Sequence, residues 1–172
     1  MSRARGGRGA VTLRRGRPTD LDDLDALERE IFKSRVFSGH LLSRASFRRL
    51  LAAPSATFII AAADALAGYV LVLYRANSSA ARIYSIGVAA QFRRRGVARM
   101  LVAAAEKDAT RRNRKAMRLE VRADSRGTIA LYQEAGYRCV GRVPDYYGGR
   151  VDALRLEKAL GKDLNKEPRQ CS

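Results

Sequence analysis

The sequence predicts an α+β fold, a mixed and mostly antiparallel twisted sheet of about seven strands flanked by about four helices. Three observations carry this. In the first half, the apolar runs Thr57 to Ala63, Gly68 to Arg75 and Ala81 to Val88 are separated only by short turns, which makes antiparallel neighbours. In the second half, segments of helical and strand period alternate, which makes crossover units. Hydrophobic residues form 47% of the chain, enough to fill a core without disulfide or metal staples.

The elements follow in order. Residues 1–10 form a basic arm, rich in Arg and Gly, with no apolar stretch to serve as a secretory signal. A single domain then spans 11–160, opening on a short edge strand at "AVTLRRG". Pro18, Thr19 and Asp20 start a helix with Thr19 or Asp20 as N-cap. Leu21, Leu24, Leu27, Glu28 and Ile31 recur at helical spacing down to Phe32, and Asp20, Asp22 and Asp23 suit the positive end of that helix. A loop covers Lys33 to Gly39. Ser43 to Ala53 is a second helix with Phe47, Leu50 and Leu51 on one face, stopped by Pro54. Turns at Asp64 to Ala67 and Asn77 to Ala80 join the three central strands. Helix Gly96 to Arg111, strand Met117 to Arg122 and helix Arg126 to Ala135 come next. Strands Tyr137 to Val143 and Val151 to Lys158, joined through "PDYYGGR", close the domain before a polar tail at 161–172. The order is β-α-α-β-β-β-α-β-α-β-β.

Composition narrows the function. Lys and Arg number 34 against 17 acidic residues, a formal charge of +17. That excess fits an anionic partner or a compositional bias towards Arg. The basic residues are scattered and have no aromatic stacking platform among them, so no specific nucleic acid is expected. One histidine and two cysteines are too few for a metal centre, so no metal is expected. Cys139 and Cys171 read as free thiols in a reducing, cytoplasmic setting. No apolar run reaches the length of a membrane span.

The informative stretch is "YSIGVAAQFRRRGVARML", Tyr84 to Leu101. A strand ends at Val88, a polar loop follows, and Arg93-Arg94-Arg95-Gly96-Val97-Ala98-Arg99 opens a helix. A helix N-terminus already carries about half a positive charge and unpaired N–H groups. Three arginines there, with no acidic residue to offset them, read either as a solvated basic start or as a seat for a phosphate or pyrophosphate. The Walker A and dinucleotide patterns are both absent.

This stretch resembles the acetyl-CoA motif of the GNAT superfamily of N-acetyltransferases, Q/R-x-x-G-x-G/A after a strand, with Arg93, Gly96 and Ala98 at its defined positions. The resemblance runs from about Val11 to Leu160 and implies the GNAT fold, acetyl-CoA as co-substrate, a loop whose backbone N–H groups hold the pyrophosphate, and a strand, Ile86, Gly87 and Val88, that pairs with the pantetheine arm.

A second stretch, "LEVRADSRGTIALYQEAGY", resembles the RimI-like ribosomal-protein-alanine N-acetyltransferases at Leu119, Glu120, Val121, Arg122, Ala130, Leu131 and Tyr132. Read alone, Glu120 is more simply a solvent-facing strand carboxylate paired with Arg118 or Arg122, and Tyr132 an ordinary core aromatic. The resemblance makes Glu120 the general base and Tyr132 the general acid. Ser125 replaces the family's cofactor-contacting Asn, offering a hydroxyl in place of an amide. The "VPDYYGGRVDAL" segment resembles the one that carries paired tyrosines, so Tyr146 and Tyr147 are expected to line the acceptor groove. Lys33 to Leu42, with Phe37 and His40, forms the opposite wall.

The acidities favour an α-amine as acceptor. Its pKa is ~7.7–8.0 against ~10.4 for lysine, so near neutrality it is roughly hundreds of times more often the neutral nucleophile. A phenol at ~10 is a weaker acid than a thiol at ~8.5, so Tyr132 serves the leaving sulfur more by hydrogen bonding than by full proton transfer. Transfer is expected to be direct, in a ternary complex. The resemblance implies a protein N-terminus as acceptor; the charge of +17 suits docking on a ribosome or an acidic peptide, and a monomer or homodimer is expected. A small-molecule amine acetyltransferase on the same fold, and a non-catalytic basic module that senses acetyl-CoA or binds nucleic acid, are the competing expectations.

Overall fold

A computed structural model describes residues 9–33, 42–147 and 150–161. Most of the expected arm and tail, the wall segment with Phe37 and His40, and the Gly148-Gly149 turn therefore lie outside the described residues.

The chain forms strand β1 (Thr12–Arg15), helices α1 (Leu21–Lys33) and α2 (Arg44–Ala52), strands β2 (Ala56–Ala62), β3 (Leu66–Tyr74) and β4 (Ala80–Val88), and helix α3 (Val97–Arg111). Strand β5 (Ala116–Arg122), helix α4 (Arg126–Glu134) and strands β6 (Arg138–Val143) and β7 (Ala153–Ala159) complete it. The seven strands lie in one sheet in the order β1-β2-β3-β4-β5-β7-β6. Only β4 and β5 run parallel; the other pairs are antiparallel. This is the expected mixed sheet.

Successive residues of a strand face opposite sides of the sheet, and β3 shows how both sides are covered. A Cβ at Gly68 would meet Leu101 of α3, whereas the next residue, Tyr69, stacks edge-on against Phe47 of α2 at 5.9 Å. So α3 packs on one face and α1 with α2 on the other. Both faces of the central strands are consequently apolar, and β2 and β3 are buried almost throughout.

Element ends differ from expectation for local reasons. Asp20 is not the N-cap of α1: Pro18–Asp20 forms a 3-10 turn, and the Asp20 carboxylate accepts from Arg17 N–H at 2.7 Å and from both Arg14 guanidinium nitrogens. Ser43 caps α2, its hydroxyl accepting from Ser46 N–H at 3.1 Å. Cys139 is disulfide-bonded, which corrects its reading as a free thiol. A count of two cysteines excluded a scaffold but carried no geometry.

Candidate active site

The site grows from the way β4 leaves the sheet. It pairs with β5 only over Ala80–Arg82 against Ala116–Arg118. On its other side, Leu71 of β3 faces Ser85 while Val72 faces Ile83, so Tyr84 is an extra, bulged residue. The bulge bends β4 away from β5. A cleft opens between Ile83–Ile86 and Leu119–Arg122, and it leaves a strand edge on β4 for main-chain pairing. Gly87 faces α1: a Cβ there would lie 2.5 Å from Ile31 Cδ1 and 3.1 Å from a Tyr69 ring carbon, so a larger residue would require Ile31 to shift. Ile86 and Val88 are half-buried on either side of it.

At its far end β4 runs through a 3-10 turn, Ala90–Phe92, into the start of α3. Arg94 and Gly96 both have positive φ, 59° and 76°, which winds the backbone into a tight turn. Gly96 is the N-cap and provides no side-chain bond, so the first-turn N–H groups of α3 are uncapped by the protein. A Cβ on Gly96 would meet nothing within 4 Å, so that face of the turn is open. Arg93 folds back towards the Val88 carbonyl at 3.4 Å, and Arg95 stacks on the Phe92 ring at 5.0 Å. Arg93, Arg94, Gly96, Val97, Ala98 and Arg99 line a second hollow with Val88, Phe92 and Leu131. Arg95 does not line it, and Arg99 is ion-paired with Glu134 of α4. The arginine run therefore splits between packing, pairing and the open turn.

Glu120, Tyr132, Ser125, Tyr146 and Tyr147 all line the first cleft. They come from β5, α4 and the turn ahead of β7, so the fold gathers four separate predictions into one wall. Ser125 is the N-cap of α4 but makes no side-chain capping bond. Tyr132 is 2% exposed and packs edge-on against Tyr137 at 5.4 Å. Burial, reinforced by the nearby Tyr147 hydroxyl, raises its pKa, so the phenol stays protonated at working pH. Tyr146 and Tyr147 meet edge to face at 5.0 Å. Burial, then Tyr146, pushes Tyr147 up to about 12.

Glu120 has partners other than those expected. Arg155, its cross-strand neighbour on β7, donates to Oε1 at 3.0 Å, and Arg82 of β4 donates to Oε2 at 2.9 Å. Arg82 also donates to the Tyr146 hydroxyl at 2.7 Å, and Tyr147 donates to the Glu120 carbonyl at 3.3 Å. Arg118 pairs instead with Glu157, and Arg122 with Asp124. Sequence reasoning missed Arg82, Tyr84, Ser85 and Arg155. The one available signal was the polar break "RIYS" in an otherwise apolar strand.

A buried network adjoins this wall. Glu28 of α1 is 0% exposed and accepts from Leu42 N–H at 3.0 Å and from the Tyr69 hydroxyl. Burial raises its pKa, opposed by those two hydrogen bonds. The Tyr69 hydroxyl lies 2.8 Å from Ser85 Oγ, and Ser85 lines the cleft.

A parted parallel strand pair and an uncapped glycine turn at the start of the next helix frame the cleft. Residues 21–137 match the model of the acetyltransferase (GNAT) family, most of the chain, so this protein belongs to that family and is an N-acetyltransferase by class. A curated relative, the catalytic subunit NAA20 of the N-terminal acetyltransferase B complex of Arabidopsis thaliana, is 41% identical over 49 residues, which is 28% of each chain. Among solved structures, the ribosomal-protein-S18-alanine N-acetyltransferase of Escherichia coli superposes with a TM-score of 0.77 at 20% identity, covering 92% of this chain and 99% of that one. Arabidopsis thaliana NAA60 in complex with acetyl-CoA gives 0.74 at 22% identity, covering 88% and 99%. Both likenesses are of fold.

Proposed function

We propose that this protein transfers the acetyl group of acetyl-CoA to the α-amino group of a protein or peptide, directly and in a ternary complex. The observation that carries the reading is the alignment of two features along β4: a free strand edge beside Glu120 and Tyr132, and an uncapped helix turn beyond Val88.

The residues fit acetyl-CoA. The open face of Gly96 and the uncapped N–H groups of α3 suit a pyrophosphate, with Arg93 and Arg94 beside them. The edge of Ile86 to Val88 suits the pantetheine amides, and Ser125 offers a hydroxyl from the α4 side. Acetyl-CoA supplies the activated acetyl group as a thioester. Tyr132, buried and protonated, serves in this reading as hydrogen-bond donor to the leaving sulfur. Glu120 takes the amine's proton through a water, in competition with the two guanidiniums that hold it. Tyr146 and Tyr147 wall the acceptor groove.

An α-amine requires less of such a base than a lysine does, which supports a polypeptide N-terminus as acceptor. The likeness to the NAA20 subunit of an N-terminal acetyltransferase complex and to a ribosomal-protein-S18-alanine N-acetyltransferase supports the same reading. A charge of +17 supports work near a ribosome. The test is mass-spectrometric detection of acetylation on a panel of Ala-, Ser- and Met-starting peptides beside polyamines, aminoglycosides and free amino acids. Acetylated peptide supports the reading, and acetylation confined to small amines replaces it.

A further inference from the structure

We infer that Ser85 is the hydrogen-bond acceptor that positions the incoming amine, and that buried Glu28 holds it in that role through Tyr69. The inference rests on the acetyl-transfer reading above.

The argument is one of hydrogen-bond direction. Glu28 receives the Leu42 N–H on one carboxylate oxygen and the Tyr69 hydroxyl on the other. Tyr69 donates to Glu28, so its one hydroxyl proton is committed there. The remaining polar contact of the Tyr69 oxygen is Ser85 Oγ at 2.8 Å, and Tyr69 has no second proton to give. Ser85 must therefore donate to Tyr69. Its oxygen lone pairs are left for the cleft that it lines with Glu120 and Tyr132. With its proton given to Tyr69, the Ser85 hydroxyl can only accept from the cleft side.

A primary amine that attacks a carbonyl carbon needs its lone pair aimed forwards and its N–H groups satisfied from behind. Ser85, set on the bulged part of β4, offers one such acceptor. Glu28 and Tyr69, both 0% exposed, touch no substrate and are positioning residues. The geometry also ties α1 and the residue ahead of the α2 cap, Leu42, to the strand that faces the acceptor.

The experiment compares wild type, Ser85→Ala, Ser85→Thr, Tyr69→Phe and the double variant S85A/Y69F. Each is assayed with saturating acetyl-CoA and whichever panel peptide the wild type acetylates best, with acetyl-CoA affinity measured by calorimetry. Ser85→Ala is expected to lower kcat/KM for the peptide roughly ten- to hundredfold, the scale of a hydrogen bond to a group that gains charge. Acetyl-CoA affinity is expected to stay unchanged and Ser85→Thr to restore activity. Tyr69→Phe is expected to give a similar loss that does not multiply in the double variant. If Tyr69→Phe fails to fold, the Ser85 pair carries the test alone. Wild-type kcat/KM in Ser85→Ala, an equal fall in acetyl-CoA affinity, or multiplying losses would overturn the inference and leave the acetyltransferase reading intact. A wild type that acetylates no peptide overturns both.

Discussion

Arg82 and Glu120 join the two strands where they begin to part, at 2.7 Å across the mouth of the cleft. Arg82 is on β4 and Glu120 on β5, two residues beyond the Arg82–Arg118 register pair. With Arg155 on the far side, both oxygens of Glu120 are engaged, and its side chain is 8% exposed. A base in that position has to be reached through a water.

Replacing Glu120 by Gln tests that role. Peptide turnover near neutral pH is expected to fall by about 10²-fold, and the remaining activity to move to higher pH, where the amine deprotonates unaided. A pH–rate profile that coincides with the wild type's removes Glu120 as base and leaves it as the partner of Arg82 and Arg155.

Tyr132→Phe keeps the ring that packs on Tyr137 and removes only the hydroxyl. Unfolding free energy is expected to change by no more than about 1 kcal/mol, the scale of one buried hydroxyl's hydrogen bond. The turnover number is expected to drop roughly ten- to hundredfold, with acetyl-CoA affinity near normal. Unchanged turnover takes Tyr132 out of the mechanism.

Gly96→Ala places a Cβ on a residue at φ 76° that has open space around it. The left-handed backbone costs about 1 kcal/mol of stability for an L-residue. The added methyl stands where a phosphate approaches, so acetyl-CoA affinity is expected to fall by about tenfold, which calorimetry reads directly. Loss of stability with unaltered affinity would place the diphosphate elsewhere.

Asp20 gives a pH-dependent stability. The hydrogen bonds from Arg14 hold its carboxyl below the usual range, against burial, and Arg17 N–H assists. A depressed folded pKa contributes stability that is present above the unfolded value of ~3.9 and is lost as pH falls through the folded one. Asp20→Asn is therefore expected to cost roughly 1–2 kcal/mol at pH 7. Denaturant titrations at about pH 2.5 should show that difference shrunk towards zero; a constant difference would assign the loss to packing.

The sheet and its helices were legible because the apolar runs and turn clusters follow single periods. The glycine turn stood out because a helix start rich in arginine is electrostatically odd, but that left a solvated start equally open, and the resemblance to the acetyl-CoA motif made the choice. The partners of Glu120 were not. Arg82 lies 38 positions away in sequence, and only the register of a parallel pair brings it near. The nearer Arg118 and Arg122 looked equivalent, yet Glu157 and Asp124 claim them. The bulge at Tyr84 was hidden for the same reason, since an extra residue in a strand shows only against its neighbour. Glu28 read as one position of a helical face. Its burial follows from Tyr69 and Leu42 arriving from other elements.

The central claim is that the turn ahead of α3 grips the diphosphate of a thioester carrier. Calorimetric titration of the wild-type protein with acetyl-CoA tests it most directly. A saturable heat at one site, weakened in Gly96→Ala, is the predicted result. No detectable heat at millimolar acetyl-CoA would contradict it.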